Sequence, residues 1–273
     1  MAVVDVAGRP VEYELQGAGD LVVLLAASWW PLDTWKLSGI PELRGQYQVL
    51  APNQRGIGAS APTDPPYTAE NQADDAIALL DALGLAGPAH IVGFAQGSGI
   101  ALQLALRHPD RVRSLVLAAP SGGTPPDAPA PSIREREHLA HADFREFIRA
   151  HSLNDDFAFS PANYAAHHER AVSLADALWE HQGRPEEYLK HADARRGHDT
   201  VEEGRAVRHA ALVLCGEEDN VQRGKNTPVG TARKLAEAMP NARLHLIPTV
   251  RHMTFWEDPA AAWAPVKEFL ASA

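Results

Sequence analysis

One cysteine among 273 residues, Cys215, excludes an internal disulfide. Positive charge is also short: 25 Lys and Arg stand against 35 Asp and Glu, a formal −10. No stripe of cations is present, so a nucleic-acid partner is not expected, because phosphate contacts need clustered Lys and Arg. No apolar run approaches the ~18 residues of a membrane-crossing helix. Met1 to Asp5 carries no basic stretch leading into an apolar one, so no secretory leader is expected. The default reading is therefore a soluble cytoplasmic protein with no membrane partner. The dinucleotide fingerprint G-x-G-x-x-G, a Walker lysine and an H-E-x-x-H zinc motif are all missing. No cofactor and no metal site are expected.

What is present is an ordinary globular balance, 45% hydrophobic and 22% charged, with length enough for one large α/β domain and an insertion. Short apolar runs alternate with helical patterns, which predicts a mainly parallel sheet covered by helices. Strands are expected at Leu21–Ala27, Tyr47–Ala51, Ala89–Phe94, Arg113–Ala119, Ala210–Leu214 and Arg243–Ile247. Helices are expected from Thr68, a good N-cap, to Leu83 with Gly84 as its stop. Further helices fall at Ser98–Arg107, Pro228–Met239 and Asp258–Leu270. Pro120 to Pro131 is a Pro/Gly-rich break. From about Ser132 to Val207 strand signals vanish and charged, His-rich helical segments take over.

The most informative stretch is Ile91 to Gly99, where a strand runs into a helix through Gly93, Ala95 and Gly97. A nucleophile elbow needs small residues two positions either side of the nucleophile, because the turn is tight and strained. The spacing is that of G-x-S-x-G with alanine in place of serine. Other segments add to it. Leu25 to Pro31 ends a strand with two tryptophans. Asn53-Gln54-Arg55-Gly56-Ile57-Gly58-Ala59-Ser60 forms a Gly-rich turn after the next strand. His108 to Val112 follows the elbow helix, Glu217-Glu218-Asp219 ends a late strand, and His252 precedes the terminal helix with Glu257-Asp258-Pro259 behind it.

Together, and in this order, these segments resemble the α/β-hydrolase superfamily, with Ala95 at the nucleophile position. The resemblance implies an α/β-hydrolase fold, a mainly parallel sheet flanked by helices. Residues 1–131 and 208–273 would form the core and 132–207 a helical cap. His252 would be the general base, an imidazole being able to take and return a proton near neutrality. Asp219 would orient it, with Glu217 and Glu218 as competitors one or two positions away. An oxyanion hole would use the backbone N–H groups of Gln96 and Trp29, with Trp30 as the alternative to Trp29. Ser28, Trp30 and Phe94 would contact substrate, and the two tryptophans could equally wall a flat ligand or fill the core. In the cap, Tyr164, Trp179 and Tyr188 could line a pocket. His138 and His141 have helical spacing for a metal, but no further ligand completes a site.

Ala95 carries no hydroxyl, thiol or carboxylate, so covalent catalysis from it is impossible. Two readings follow, both with a small-molecule substrate and an undefined oligomeric state. In the first, a Ser-His-Asp hydrolase of an ester, lactone or related acyl bond has had its serine replaced. In the second, the scaffold is naturally free of a nucleophile and uses His252 as a base, as a cofactor-independent dioxygenase of N-heteroaromatics, a cyclase or an isomerase. A non-catalytic ligand-binding receptor is a third, different class.

Overall fold

The computed structural model describes residues 1–64, 67–123, 159–180, 187, 188, 190, 191, 194, 197–220 and 227–273. Eight strands form one sheet: β1 Ala2–Val6, β2 Arg9–Gln16, β3 Leu21–Leu25, β4 Gln48–Pro52, β5 Ala89–Phe94, β6 Val112–Ala118, β7 Ala211–Gly216 and β8 Ala242–Ile247. Their spatial order is β1-β2-β4-β3-β5-β6-β7-β8. The β1–β2 and β2–β4 pairs are antiparallel and all the others are parallel. The fold is thus the α/β-hydrolase architecture expected, with every expected strand in place to within two residues.

Every residue of β3, β5 and β7 is buried, as strands covered on both faces by helices must be. The hairpin β1–β2 was not among the expected elements. Its turn is the two-residue pair Ala7 (φ 53°) and Gly8 (φ 82°), both left-handed, as a tight hairpin requires. Alternation of Val11, Tyr13 and Leu15 signals β2, but the signal is blunted because the residue between them, Glu12, is itself buried.

The helices are α1 Asp33–Lys36, α2 Gly39–Leu43, α3 Ala69–Ala82, α4 Gln96–Arg107, α5 Pro161–Ala166, α6 His168–Glu180, α7 Thr200–Ala206, α8 Pro228–Ala238, α9 Thr254–Glu257 and α10 Pro259–Ser272. Thr68 caps α3 by accepting from the Asn71 N–H, and Gly84 follows with φ 70°. Helix α4 begins two residues earlier than its sequence pattern, directly at the elbow. Between β6 and β7 the described elements are all helical, α5, α6 and α7. Residues 124–158, 181–186 and 221–226 lie outside the described set, and with them His138 and His141 and the Pro-rich break beyond Gly123.

The chain passes from β3 outward to β4 and then back to β5 on β3's other side. Strand order reverses there, so the carboxyl ends of β3 and β5 open a crevice at the sheet edge, the usual place for a ligand in such sheets. Both ends carry the segments singled out in the sequence.

Candidate active site

The elbow forms between β5 and α4. Ala95 has φ 51° and ψ −112°, a conformation that an L-residue adopts only under constraint. Hydrogen bonds hold it there: the Ala95 N–H donates to Ala118 C=O (2.9 Å) and the Ser98 N–H donates to Ala95 C=O (3.1 Å). Ser98 Oγ donates to the Gly93 carbonyl at 3.0 Å. A Cβ on Gly93 would stand 2.3 Å from Gly97 O, and one on Gly97 2.2 Å from Leu25 O. The glycines therefore let three backbones meet at one point, and Ala95 is delivered to the top of the sheet with 6% of its surface exposed.

Behind the elbow residue, Gln96 opens α4, where the first N–H groups of a helix have no intrahelical acceptor. Its side chain is 4% exposed, and neither amide atom has a hydrogen-bond partner among the described residues. Across the crevice, the loop after β3 bends at Trp29, another non-glycine residue with positive φ (58°). Two side chains at the end of β4 fix this loop. Asn53 Oδ1 accepts the Leu32 N–H at 2.6 Å, and Gln54 Nε2 donates to Ala26 C=O at 3.0 Å. Asn53 Nδ2 in turn donates to the buried Glu12 carboxylate at 2.7 Å, and the same Glu12 oxygen accepts the Ala59 N–H at 2.8 Å. Nothing local in the sequence pointed to Glu12, which sits on the unanticipated hairpin.

The acid and the base meet. His252 Nδ1 lies 2.8 Å from Asp219 Oδ2, and both side chains are buried. A carboxylate can only accept, so Nδ1 carries the proton and the lone pair belongs to Nε2. Asp219 is set by the turn after β7, where its N–H donates to Gly216 C=O (3.2 Å) and its C=O accepts from the Val229 N–H (3.2 Å). Glu217 and Glu218 are exposed and do not approach His252. Cys215 Sγ lies 3.7 Å from the same Asp219 oxygen, and burial, with the nearby carboxylate, pushes the thiol well above its ordinary pKa. It is a neutral neighbour of the acid.

Aromatic side chains frame the base. The Phe94 ring lies 5.3 Å from the His252 ring and 4.9 Å from Trp256. Trp30, 2% exposed, packs on Phe94 at 5.4 Å and on Trp256 at 5.2 Å, so its ring belongs to the core beneath the crevice. Trp29 is only partly buried and stands edge-on to Tyr188 of the expected cap at 5.3 Å. Ser28 is 8% exposed on the same loop. Tyr164 meets His168 at 5.0 Å within the helical segment, and the Trp179 side chain lies outside the described residues.

Glu187, Lys190 and His191 are also tied to the core. Glu187 accepts from Tyr67 Oη (2.5 Å) and Lys190 Nζ (2.8 Å). Burial opposes its charge, but these two donors outweigh burial and hold its pKa below the ordinary carboxylate value. His191 Nε2 lies 2.9 Å from Arg55 C=O, and complete burial pushes its pKa down to about 4. Among the described residues no group of three His, Cys, Asp or Glu side chains could hold a metal, and no helix is long and apolar enough to cross a membrane.

Residues 25–259 match the family model for the alpha/beta hydrolase fold. The chain is 33% identical over 251 residues to a 2-hydroxymuconate semialdehyde hydrolase of Pseudomonas sp. (strain CF600), covering 88% of this chain and 81% of that one. It is 30% identical over 273 residues to the putative carbamate hydrolase RutD of Caulobacter vibrioides, covering 96% of each. In structure it is similar to the enol-lactonase of Burkholderia xenovorans LB400, with a TM-score of 0.83 and 22% identity over 99% of this chain and 100% of that one. The elbow between β5 and α4, the Asp219–His252 contact and relatives that are themselves hydrolases agree: this chain belongs to the alpha/beta hydrolase fold family.

Proposed function

We propose that the chain is a Ser-His-Asp acyl hydrolase in form, acting on an ester, lactone or related acyl bond, in which alanine occupies the nucleophile position. One observation carries this reading. The imidazole of His252 is oriented by a buried carboxylate 2.8 Å away, beside an elbow strained in the way a nucleophile requires. The described helices between β6 and β7, with Tyr188 against Trp29, would belong to a cap over the crevice. The N–H groups of Gln96 and Trp29 would receive the negative charge that develops on a carbonyl oxygen. Trp29 and Ser28 would border the ligand, while Phe94 and Trp30, both buried, support them from beneath.

With a serine at position 95 the steps balance simply. Oγ adds to the acyl carbon while its proton passes to His252 Nε2, and the same proton then leaves with the departing alcohol. Water repeats the sequence on the acyl-enzyme. With alanine the first bond cannot form, so the chain binds its substrate and leaves it whole. The buried, unpartnered Gln96 amide supports a polar ligand, because an amide buried without partners costs about 1–3 kcal/mol.

Introducing Ala95→Ser tests the reading directly. Turnover of p-nitrophenyl esters or simple lactones should appear, with an acyl-enzyme visible by mass spectrometry, and His252→Ala in that background should abolish both. A second reading is favoured by the survival of the His252–Asp219 pair in a chain whose elbow residue, Ala95, has no hydroxyl to deprotonate. In it, His252 removes a proton from the substrate itself, as in cofactor-independent dioxygenases, cyclases or isomerases. If Ala95→Ser gives no turnover while the alanine form converts a heteroaromatic or cyclisable compound through His252, this second reading stands instead. If neither form turns over and ligand binding survives His252→Ala, the protein is a receptor.

A further inference from the structure

Glu257 lies at the end of the short helix α9, five residues beyond His252, and its side chain is completely buried. Its carboxylate serves two segments that are far apart in the sequence. Oε2 accepts the N–H of Arg251, the residue before His252, at 2.7 Å. Oε1 accepts the N–H of Ser160 at 2.7 Å and Asn163 Nδ2 at 2.8 Å, both at the start of α5. The same Asn163 nitrogen also donates to Thr249 C=O at 3.1 Å, on the other side of the histidine loop. Both of Asn163's partners are acceptors, so the orientation of its amide is fixed by chemistry. Arg170 of α6 closes the arrangement by donating to the Glu257 carbonyl at 3.1 Å.

We propose that Glu257 is a positioning residue that couples the start of the helical segment, Ser160 to Arg170, to the placement of the His252 imidazole. The inference rests on His252 being the base, and on nothing about the nucleophile. Its physical content is a shared anchor. The loop from Thr249 to Met253 hangs from one carboxylate oxygen and from Asn163, and α5 hangs from the other oxygen. A shift of α5 therefore moves the backbone on which the Nδ1–Asp219 contact depends. That contact shields the Nδ1 proton from water, so loosening it frees the proton to exchange.

The carboxylate is also hard to replace. Three N–H donors converge on two oxygens, and glutamine offers one oxygen and one NH2 group. Whichever way the amide of Glu257→Gln turns, donor faces donor on one side, at Arg251 or at Ser160 and Asn163. Asn163→Ala is the milder variant, since Asn163 lies on α5 and touches neither His252 nor Asp219.

The test follows the downfield Nδ1 proton of His252 by NMR at fixed pH, its signal assigned by its loss in His252→Asn. Asn163→Ala and Glu257→Gln should both lose that signal through faster exchange with water, while the helix-surface control Ser173→Ala keeps it. Folded Asn163→Ala protein that keeps the signal unchanged overturns the proposal, even if Glu257→Gln does not fold. The readout needs no turnover, so it stands or falls separately from Ala95→Ser. Loss of the Nδ1 signal in Asn163→Ala, in a chain whose serine form stays inactive, leaves the coupling intact and removes only the hydrolase reading.

Discussion

At the scale of single residues, the elbow was legible because its constraint acts on Cβ atoms. Gly93 and Gly97 have no room for one, and that requirement shows in a sequence as small residues at fixed spacing. Asp219 was separable from Glu217 and Glu218 by its spacing from Gly216, and the structure brings it to His252. The supporting hydrogen bonds were not legible, since nothing local in Asn53, Gln54 or Glu257 says which distant backbone each will meet. The strain at Ala95 has a measurable consequence. A left-handed φ costs an L-residue about 1–2 kcal/mol, and glycine returns about 0.5–1 kcal/mol of that through its freer unfolded chain. Ala95→Gly should therefore raise the unfolding free energy by up to about 1 kcal/mol, seen as a higher urea midpoint at unchanged slope. A fall of that size would mean that the Ala95 methyl packs more tightly than the strain repays.

At the scale of elements, β3 to β7 could be read from apolar runs because burial on both faces leaves little choice of residue, and the exposed edge strand β8 from its place in the alternation with helices. The β1–β2 hairpin escaped because it is mostly exposed or half-buried, and of its two buried side chains, Val6 and Glu12, one is a charge. That charge ties three elements: Asn53 at the end of β4, Ala59 in the Gly-rich turn, and through Asn53 the loop after β3. Asn53 must donate on one side and accept on the other, which asparagine can do and aspartate cannot. Asn53→Asp should place two carboxylates in one buried site and destabilise the fold by about 3 kcal/mol near neutral pH. Such a pair raises a carboxyl pKa. The deficit should therefore shrink as pH falls and one of the two takes a proton. Denaturation of both forms at about pH 7 and pH 5 checks the sign; a constant difference would show that the two groups do not share a proton.

At the scale of the whole molecule, the sheet and its order of motifs were predictable, but the way the helical segment seats on the core was not. Beside the apolar seat of Phe159, Leu174 and Leu178 in the core, its contacts are polar and long-range: Glu187 with Tyr67, His191 with Arg55, Glu257 with Ser160. Two buried histidines, His90 of β5 and His191, bear on the molecule's response to acid. Burial holds His90, and His191 likewise, at a pKa of about 4 against the ordinary 6.5. Between those values the unfolded chain binds protons that the folded one refuses. The stability present above about pH 6.5 is thus lost as pH falls toward 4, by up to about 3 kcal/mol for each histidine. His198, raised by its hydrogen bond to Glu203, works in the opposite direction. His90→Asn combined with His191→Gln should flatten the fall in urea midpoint across that range, and an unchanged slope would assign the acid sensitivity to other groups. The Glu12–Asn53 link carries a different kind of consequence. It makes the first two strands part of the crevice's suspension, so they cannot be exchanged between relatives as an independent ornament. A chimaera that imports a hairpin without glutamate at this position, or a host turn without the matching amide, inherits a mismatched half of a two-part fastening. Chimaeras that swap both halves together should keep the shape of the site; those that swap one should not.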